Sequence, residues 1–401
     1  MPATQLNDDQ SLAVQMTLRA FQNGHKEYYL SGMGGTGKTF TTGELVRQFT
    51  KAGARVAFCA STNAAVQRAK FVAERDGWAV LVRFWGTVHR VLGLRYDPEQ
   101  DIVIDTYRGQ PEAFDVIIVD EASMLNQNIV ALLRSKAKFI LFVGDANQLL
   151  PIGEDVSMAF SSTGSTLETV VRQDSNDKLL AAILSARQAV KKEKDLDLGS
   201  LTDSLVTDLE TWQAQLTGAD NQIALCFTND EADRLNRVIR TNLGRDDEYN
   251  IGDRIVFTAN YYKKNPFTSR QILAFATNEV AVVQDATRCR VYGFPCWSLR
   301  VKGFSREDYI LVYDTKDQAW IDYLLETTKD KKRIPHAAKI KYAYALTTHR
   351  SQGNEWDEVF VQMRDYSRCQ DEDTYNRLVY VALSRARKSV SILVWKQRKK
   401  Q

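Results

Sequence analysis

The chain has 401 residues, of which 44% are hydrophobic and 26% charged, and 53 basic against 50 acidic side chains leave a net charge of +3. At roughly 150 residues per domain this length gives two or three domains with cores that need no disulfide or metal, and near-neutrality means that any nucleic-acid or membrane surface must be local. Five scattered cysteines without a CxxC pair and four separated histidines exclude a disulfide framework and a structural zinc site; the polar start is not a signal peptide and the apolar runs are too short to cross a bilayer, so a cytoplasmic protein without a membrane partner is expected.

The first 150 residues alternate between helical and strand patterns. Residues 5–21 have helical spacing (Leu12, Met16, Ala20), 28–31 read as a short strand, 38–51 as a helix, 55–60 as a strand and 63–74 as a helix. A helix at 87–92 is followed by an irregular piece, 96–112, whose Asp-Pro-Glu-Gln tip predicts a turn between two strands. Residues 114–119 and 139–143 are continuous apolar strands, the pattern of a parallel sheet covered on both faces. A second block of this kind opens at 223–227 with a helix over 230–243. It is interrupted by short alternating strands at 253–258, 279–283, 288–292, 297–301 and 309–313, and it resumes at 342–346, 358–362 and 389–395. The fold class is α/β: two parallel-sheet domains, the second split by a β-rich insert.

Three loops carry chemistry. Gly32-Met33-Gly34-Gly35-Thr36-Gly37-Lys38-Thr39 lies between a strand and a helix and fits G-x-x-x-x-G-K-[ST]. Its glycines let backbone N–H groups turn inward on a phosphate at a helix N-terminus. Lys38 then places its charge on the β- and γ-phosphates, and the Thr39 hydroxyl ligates Mg²⁺. A glycine-rich turn without a ligand is the bland reading of the same string. At the end of the apolar strand stand Asp120, suited to hold Mg²⁺ through its water shell, and Glu121, suited to orient or deprotonate an attacking water. That pair favours ATP hydrolysis over phosphoryl transfer to a small acceptor. Gly144-Asp145-Ala146-Asn147-Gln148-Leu149-Leu150-Pro151 follows the next strand. It is either a plain loop or one in which Gln148 senses the γ-phosphate.

These three elements, with Ala345-Leu346-Thr347-Thr348-His349-Arg350-Ser351-Gln352-Gly353 and Tyr380-Val381-Ala382-Leu383-Ser384-Arg385-Ala386-Arg387, resemble in order and spacing the superfamily 1 helicases. The likeness is to the RecD-like branch, superfamily 1B, near the phage Dda helicases, over about residues 5–400. Thr62-Asn63-Ala64-Ala65 resembles motif Ia, Gly86-Thr87-Val88-His89 motif Ib, and Phe227-Thr228-Asn229 with Leu235-Asn236 the opening of the second motor domain. The chain departs from the family at Met33 and Gly34 (usually Pro and Ala), at Ser61 (usually Pro), and at Thr277-Asn278-Glu279, where relatives tend to show Asn-Gly.

The resemblance implies two RecA-like motor domains with parallel sheets. They would be 1–170, with a pin insert at about 95–112, and 171–250 with 335–401, around a β-rich, SH3-like insert at 251–334. It implies ATP and Mg²⁺ as cofactors. Gln10 matches the glutamine that reads adenine; Gly32, Gly34, Gly35, Thr36, Gly37, Lys38, Thr39 and Gly353 fall in the nucleotide-binding motifs. Arg172 and Arg385 match arginines that reach the γ-phosphate across a domain cleft. Single-stranded DNA would contact Thr62, Asn63, Thr87 and His89 in the first domain and Thr347, His349, Ser351 and Gln352 in the second, through hydroxyl and amide groups suited to phosphate oxygens. His89 reads as a phosphate contact, a base stack or a structural residue, and Phe84 and Trp85 as stacking or core residues. The basic tail at 396–400 reads as a solvated end or a weak DNA contact.

The activity implied is ATP-dependent 5′-to-3′ unwinding of forked duplex DNA by a monomer moving on a single strand, in replication, repair or recombination, with single-strand-binding or replication proteins as partners. The alternatives are an ATP-driven translocase that does not unwind and a nucleotide-switched DNA-binding protein.

Overall fold

The computed structural model describes residues 5–97, 102–105, 109–150, 157–171, 177–245, 248–264, 271–303 and 306–395. The chain folds into two compact units: 1–202 with 352–355 and 369–389, and 203–351 with 356–368 and 390–401. The resemblance places 171–202, 352–355 and 369–389 in the second domain; the described residues among them cluster with the first unit.

The first unit runs α1 (Asp8–Gln22), β1 (Glu27–Gly32), α2 (Lys38–Lys51), β2 (Val56–Ala60), α3 (Asn63–Arg75), β3 (Val82–Thr87), α4 (Val88–Leu92), β4 (Leu94–Asp97), β5 (Ile102–Asp105), β6 (Val116–Asp120), α5 (Gln127–Lys136), β7 (Ile140–Gly144), β8 (Gly164–Leu167) and α6 (Asp177–Val190). Six strands form a sheet in the order β3-β2-β6-β7-β1-β8, and every pairing is parallel. Alternation along each strand feeds two cores. Val56, Phe58, Val116 and Ile118 point to one face, and Ala57, Cys59, Ile117 and Val119 to the other. Covering both faces is why these strands read as unbroken apolar runs. Two sheet strands, β3 and β8, carry no such run and are not expected from the sequence. The tip-and-strands reading of 96–112 is an antiparallel hairpin, β4 on β5, pairing Leu94 with Asp105 and Asp97 with Ile102.

The second unit contains β9 (Leu205–Val206), α7 (Leu209–Ala214), β10 (Gln222–Cys226), α8 (Asn229–Asn242), β11 (Arg254–Phe257), β12 (Tyr261–Lys264), β13 (Gln271–Phe275), β14 (Val280–Val291), β15 (Phe294–Lys302), β16 (Glu307–Tyr313), α9 (Gln318–Thr327), β17 (Ile340–Tyr342), β18 (Ala345–Thr347), α10 (Thr348–Ser351), β19 (Trp356–Gln362) and α11 (Met363–Tyr366). Next come α12 (Glu372–Ser384), which belongs to the first unit, and β20 (Ala386–Leu393). One sheet has the order β18-β10-β19-β20-β9, with β10 parallel to both neighbours and β20 parallel to β9. The insert is a separate antiparallel sheet, β16-β15-β14-β11-β17, with a β12–β13 hairpin.

Three expectations change here. The segments 279–283 and 288–292 are one 12-residue strand, β14, whose register shifts between Val283 and Asp285. The expected strand 342–346 is two strands in different sheets, β17 on β11 and β18 on β10. The insert therefore runs past residue 334 to Tyr342. At its Thr277-Asn278 turn Asn278 takes a φ of +65°, so asparagine fills the left-handed position that Asn-Gly supplies elsewhere.

Two buried polar clusters hold the second unit. Asn236 donates to Ala232 O and Ala345 O at 2.9 Å and accepts from the N–H groups of Tyr344 (2.8 Å) and Ala345 (2.9 Å), tying α8 to β18. Asp253, fully buried, pairs with Arg240 at 3.1 Å and Arg245 at 2.7 Å.

Candidate active site and nucleic-acid interface

β1 ends where a phosphate loop must begin. Gly35 and Gly37 have φ of +83° and +84°, the left-handed region that side chains avoid. Gly37 is the N-cap of α2 and provides no side-chain cap, so the first N–H groups of a 14-residue helix remain available to an anion. The Thr36 hydroxyl is turned inward on Met33 O at 2.9 Å. Lys38 Nζ lies across the loop, donating to Gly32 O at 2.7 Å and Met33 O at 3.1 Å, and Thr39 is exposed beside it. These residues fit a nucleoside triphosphate.

Gln10 is buried beneath this loop. Its Nε2 donates to Thr36 O at 3.1 Å; its Oε1 accepts from Asn7 N at 3.1 Å while Asn7 Oδ1 accepts from Gln10 N at 2.9 Å, a capping box at the start of α1. The same glutamine thus braces the phosphate loop as well as the helix start.

At the end of β6, Asp120 is half-buried, and burial with the neighbouring Glu121 charge pushes its carboxyl up to about 7, against the pull of Lys38. Carboxylate and hydroxyl oxygens at this strand end are a donor set that fits a hard divalent cation, with Asp120 and Thr39 as the protein ligands. Glu121 has a φ of +50°, a conformation that costs a non-glycine residue about 1–3 kcal/mol and concentrates at functional positions.

Beside Glu121 the structure brings Gly353, Arg68 and Arg385. Gly353 has a φ of +76°; a β-carbon there would meet Arg68 Nη1 at 3.4 Å and Glu121 Oε1 at 3.8 Å. Arg68 donates to Asn354 Oδ1. Burial pulls its guanidinium below the usual range, opposed by Glu121 and Glu355 and reinforced by Arg385. Arg385 is buried, with Nε on Val381 O at 3.2 Å, Nη2 on Ser384 Oγ at 3.0 Å and Nη1 on Asn354 O at 3.4 Å. A β-carbon on Gly34 would stand 3.8 Å from Ser384 O, so the end of α12 adjoins the phosphate loop. Gln148 is buried, and its Oε1 has no partner among the described residues. Arg172 and Pro151 lie outside the described residues, as do the hairpin tip and the 396–400 tail. The chain nevertheless reaches the loop one residue before Arg172, where Val171 N donates to Gly35 O at 2.9 Å.

Sequence reading misses Arg68, Arg377 and Tyr380. Arg377 Nη1 donates to Gln148 O at 2.8 Å and Ala146 O at 3.2 Å, and the Tyr380 hydroxyl donates to Asp145. The one available signal is the three- and four-residue spacing of 377, 380 and 384, which puts them on one helical face.

On the nucleic-acid side, Thr62 and Thr87 are the N-caps of α3 and α4, accepting from Ala65 N at 3.2 Å and Arg90 N at 3.3 Å. Asn63 opens α3. His89 and His349 are half-buried and burial lowers both imidazoles, which favours the neutral ring; His349 packs near Phe227. Gln352 is half-buried and its Nε2 has no partner among the described residues. Thr347 is buried. Ser351 is fully buried, its hydroxyl donating to Thr348 O at 2.7 Å. Phe84 and Trp85 are packing residues, Phe84 against Phe114, and Trp85 against Phe58 and Trp78 with its Nε1 on Ala79 O at 3.3 Å.

The family model described as an AAA domain matches residues 11–154, and that of the UvrD-like helicase C-terminal domain matches 342–393. Over these two stretches the chain is similar to helicases of superfamily 1. The similar proteins are of branch 1B and include Dda, RecD2 and Pif1 helicases. The ATP-dependent DNA helicase dda of Enterobacteria phage T4 is 21% identical, covering 96% of this chain and 98% of that protein. The ATP-dependent DNA helicase Pif1 of Campylobacter jejuni is 23% identical, covering 92% and 89%. The ATP-dependent RecD2 DNA helicase of Deinococcus radiodurans is 24% identical over 91% of this chain, which spans 46% of that longer protein. Among solved structures, Bacteroides Pif1 bound to single-stranded DNA superposes with a TM-score of 0.57 at 15% identity, covering 98% of this chain and 93% of that one, a likeness of fold. No helix among the described residues is long and apolar enough to cross a membrane.

Proposed function

We propose that this chain is an ATP-dependent DNA helicase that moves 5′ to 3′ on one strand and opens forked duplex. The observation that carries the reading is the convergence of Glu121, Gly353 and, through Asn354, Arg385 beside a glycine loop that leads into an uncapped helix. Nucleotide use follows from that cradle. In this reading Lys38 holds the β- and γ-phosphates, Thr39 and Asp120 hold Mg²⁺, and Gln10 orients the base edge while bracing Thr36. Bound MgATP supplies the phosphoryl group whose hydrolysis drives the motor. Glu121 accepts the proton of the attacking water, Gln148 orients it, and Arg385, with Arg172, neutralises charge at the γ-phosphate, a contribution of about 10³–10⁵ in rate for such arginines.

The grip on a single strand is assigned to Asn63, His89, His349, Thr347 and Gln352, with Thr62 and Thr87 offering their helix N-termini. The strand separator is the β4–β5 hairpin. The β insert is an SH3-like accessory module. The protein works as a cytoplasmic monomer, with single-strand-binding or replication proteins as partners.

The test is ATP hydrolysis with and without single-stranded DNA. The wild type should be stimulated by DNA. Glu121→Gln should keep ATP binding and lose hydrolysis by at least about a hundredfold, the lower end for a positioned general base. Hydrolysis by Glu121→Gln at the wild-type rate removes Glu121 from the role.

A further inference from the structure

The loop after β7, residues 145–148, is tied down on three sides. Asp145, 1% exposed, accepts through Oδ1 from Asn147 N at 3.0 Å, closing a side-chain turn. Ala146 N donates to Ser31 Oγ at 3.3 Å, at the end of β1. From α12, Tyr380 donates its hydroxyl to Asp145 Oδ2, and Arg377 reaches the carbonyls of Ala146 and Gln148. Arg377 is itself oriented by Asp373 Oδ2, which accepts from its Nε at 2.6 Å one turn earlier. Against this satisfied backbone stands one exception. Gln148 is 4% exposed and its Oε1 has no partner among the described residues. A buried amide oxygen without a partner is costly, and its persistence in a pinned loop points to a group that arrives from outside the protein.

The residue types suit the task. Arginine presents several N–H donors in one rigid plane, so a single side chain can hold two carbonyls of a loop at a fixed angle; lysine cannot. Tyrosine combines a ring that packs in the core with a hydroxyl that meets a buried carboxylate. The same helix ends at Ser384 and is capped by Arg385, whose guanidinium is braced on Val381 O and Ser384 Oγ. Arg377 and Arg385 are eight residues apart, about 12 Å of helix.

We propose that Arg377 and Tyr380 are positioning residues that lock the Gln148 loop to the helix carrying Arg385, so that the amide and the arginine at the γ-phosphate shift as one body. The inference rests on the ATPase reading of the site and adds to it a coupling element that does not touch nucleotide. With the lock intact, a displacement of α12 reaches Gln148 and Arg385 together. With it loosened, ATP still enters the phosphate loop, but the two groups reach their working positions separately, and fewer encounters are productive.

The experiment uses the full chain and compares Arg377→Lys and Tyr380→Phe with Gln148→Ala, alone and in double variants, by DNA-stimulated ATP hydrolysis. Each positioning variant should lower kcat by about ten- to a hundredfold, the scale of a small misplacement of reacting groups, and move KM for ATP by less than about twofold. In the Gln148→Ala background neither should lower kcat further, because the group they position is gone. A general loss of structure would lower both backgrounds equally and would raise KM. Multiplying losses in the double variants, a change confined to KM, or wild-type rates for both Arg377→Lys and Tyr380→Phe overturn the lock. Absence of hydrolysis in the wild type overturns the functional reading beneath it, a distinguishable result.

Discussion

The contact between Gln10 and the phosphate loop makes a quantitative prediction. A β-carbon at Gly37 would lie 2.4 Å from Gln10 Nε2, and Gly37 has a φ of +84°. Gly37→Ala therefore incurs about 1–2 kcal/mol for the left-handed backbone. It also displaces Gln10, which loses its bond to Thr36 O and its half of the capping box, together about 1–2 kcal/mol. The single variant should be destabilised by about 2–4 kcal/mol. Gln10→Ala removes the same two bonds and should cost about 1–2 kcal/mol. In the double variant the bonds are lost only once and the collision has no partner. The combined loss should fall short of the sum by about 1–2 kcal/mol, a coupling readable from urea midpoints at constant slope. Both single variants should also weaken ATP binding. Strict additivity of the two losses would refute the argument, because it would mean that Gln10 does not occupy the space next to Gly37.

Two further predictions concern other parts of the chain. Asp253→Asn leaves Arg240 and Arg245 facing a neutral amide in a fully buried site and should destabilise the protein by about 3–5 kcal/mol in urea unfolding; a loss below about 1 kcal/mol would contradict the weight given to that cluster. Replacing the β4–β5 hairpin with a short glycine turn should spare DNA-stimulated ATP hydrolysis and abolish unwinding, read on one preparation; unwinding that survives the deletion removes the hairpin from the fork.

The parts of the site legible in the sequence are those whose chemistry is local. The phosphate loop needs positive φ at closely spaced positions, and Gly35 and Gly37 supply it where the spacing requires. Asp120 and Glu121 sit where an apolar strand stops. β3 and β8 escape a sequence reading because they are the outer strands of the sheet and lack a continuous apolar run. β14 reads as two strands because its alternation of buried residues breaks at the register shift after Val283, beyond which the strand runs out towards solvent. Beyond its helical spacing with Tyr380 and Ser384, Arg377 is not marked in the sequence, because its meaning lies in two carbonyls more than 200 residues away, and a carbonyl leaves no mark in the amino-acid code. Ser351 is legible as part of a polar motif, but periodicity does not show that its hydroxyl closes back on Thr348.

The most direct test of the account is unwinding of forked duplexes that carry either a 5′ or a 3′ single-stranded tail, with ATP and without. The account predicts strand separation of 5′-tailed forks alone, dependent on ATP and absent in Glu121→Gln. Preference for 3′ tails, or separation that proceeds without ATP or with Glu121→Gln, would contradict it.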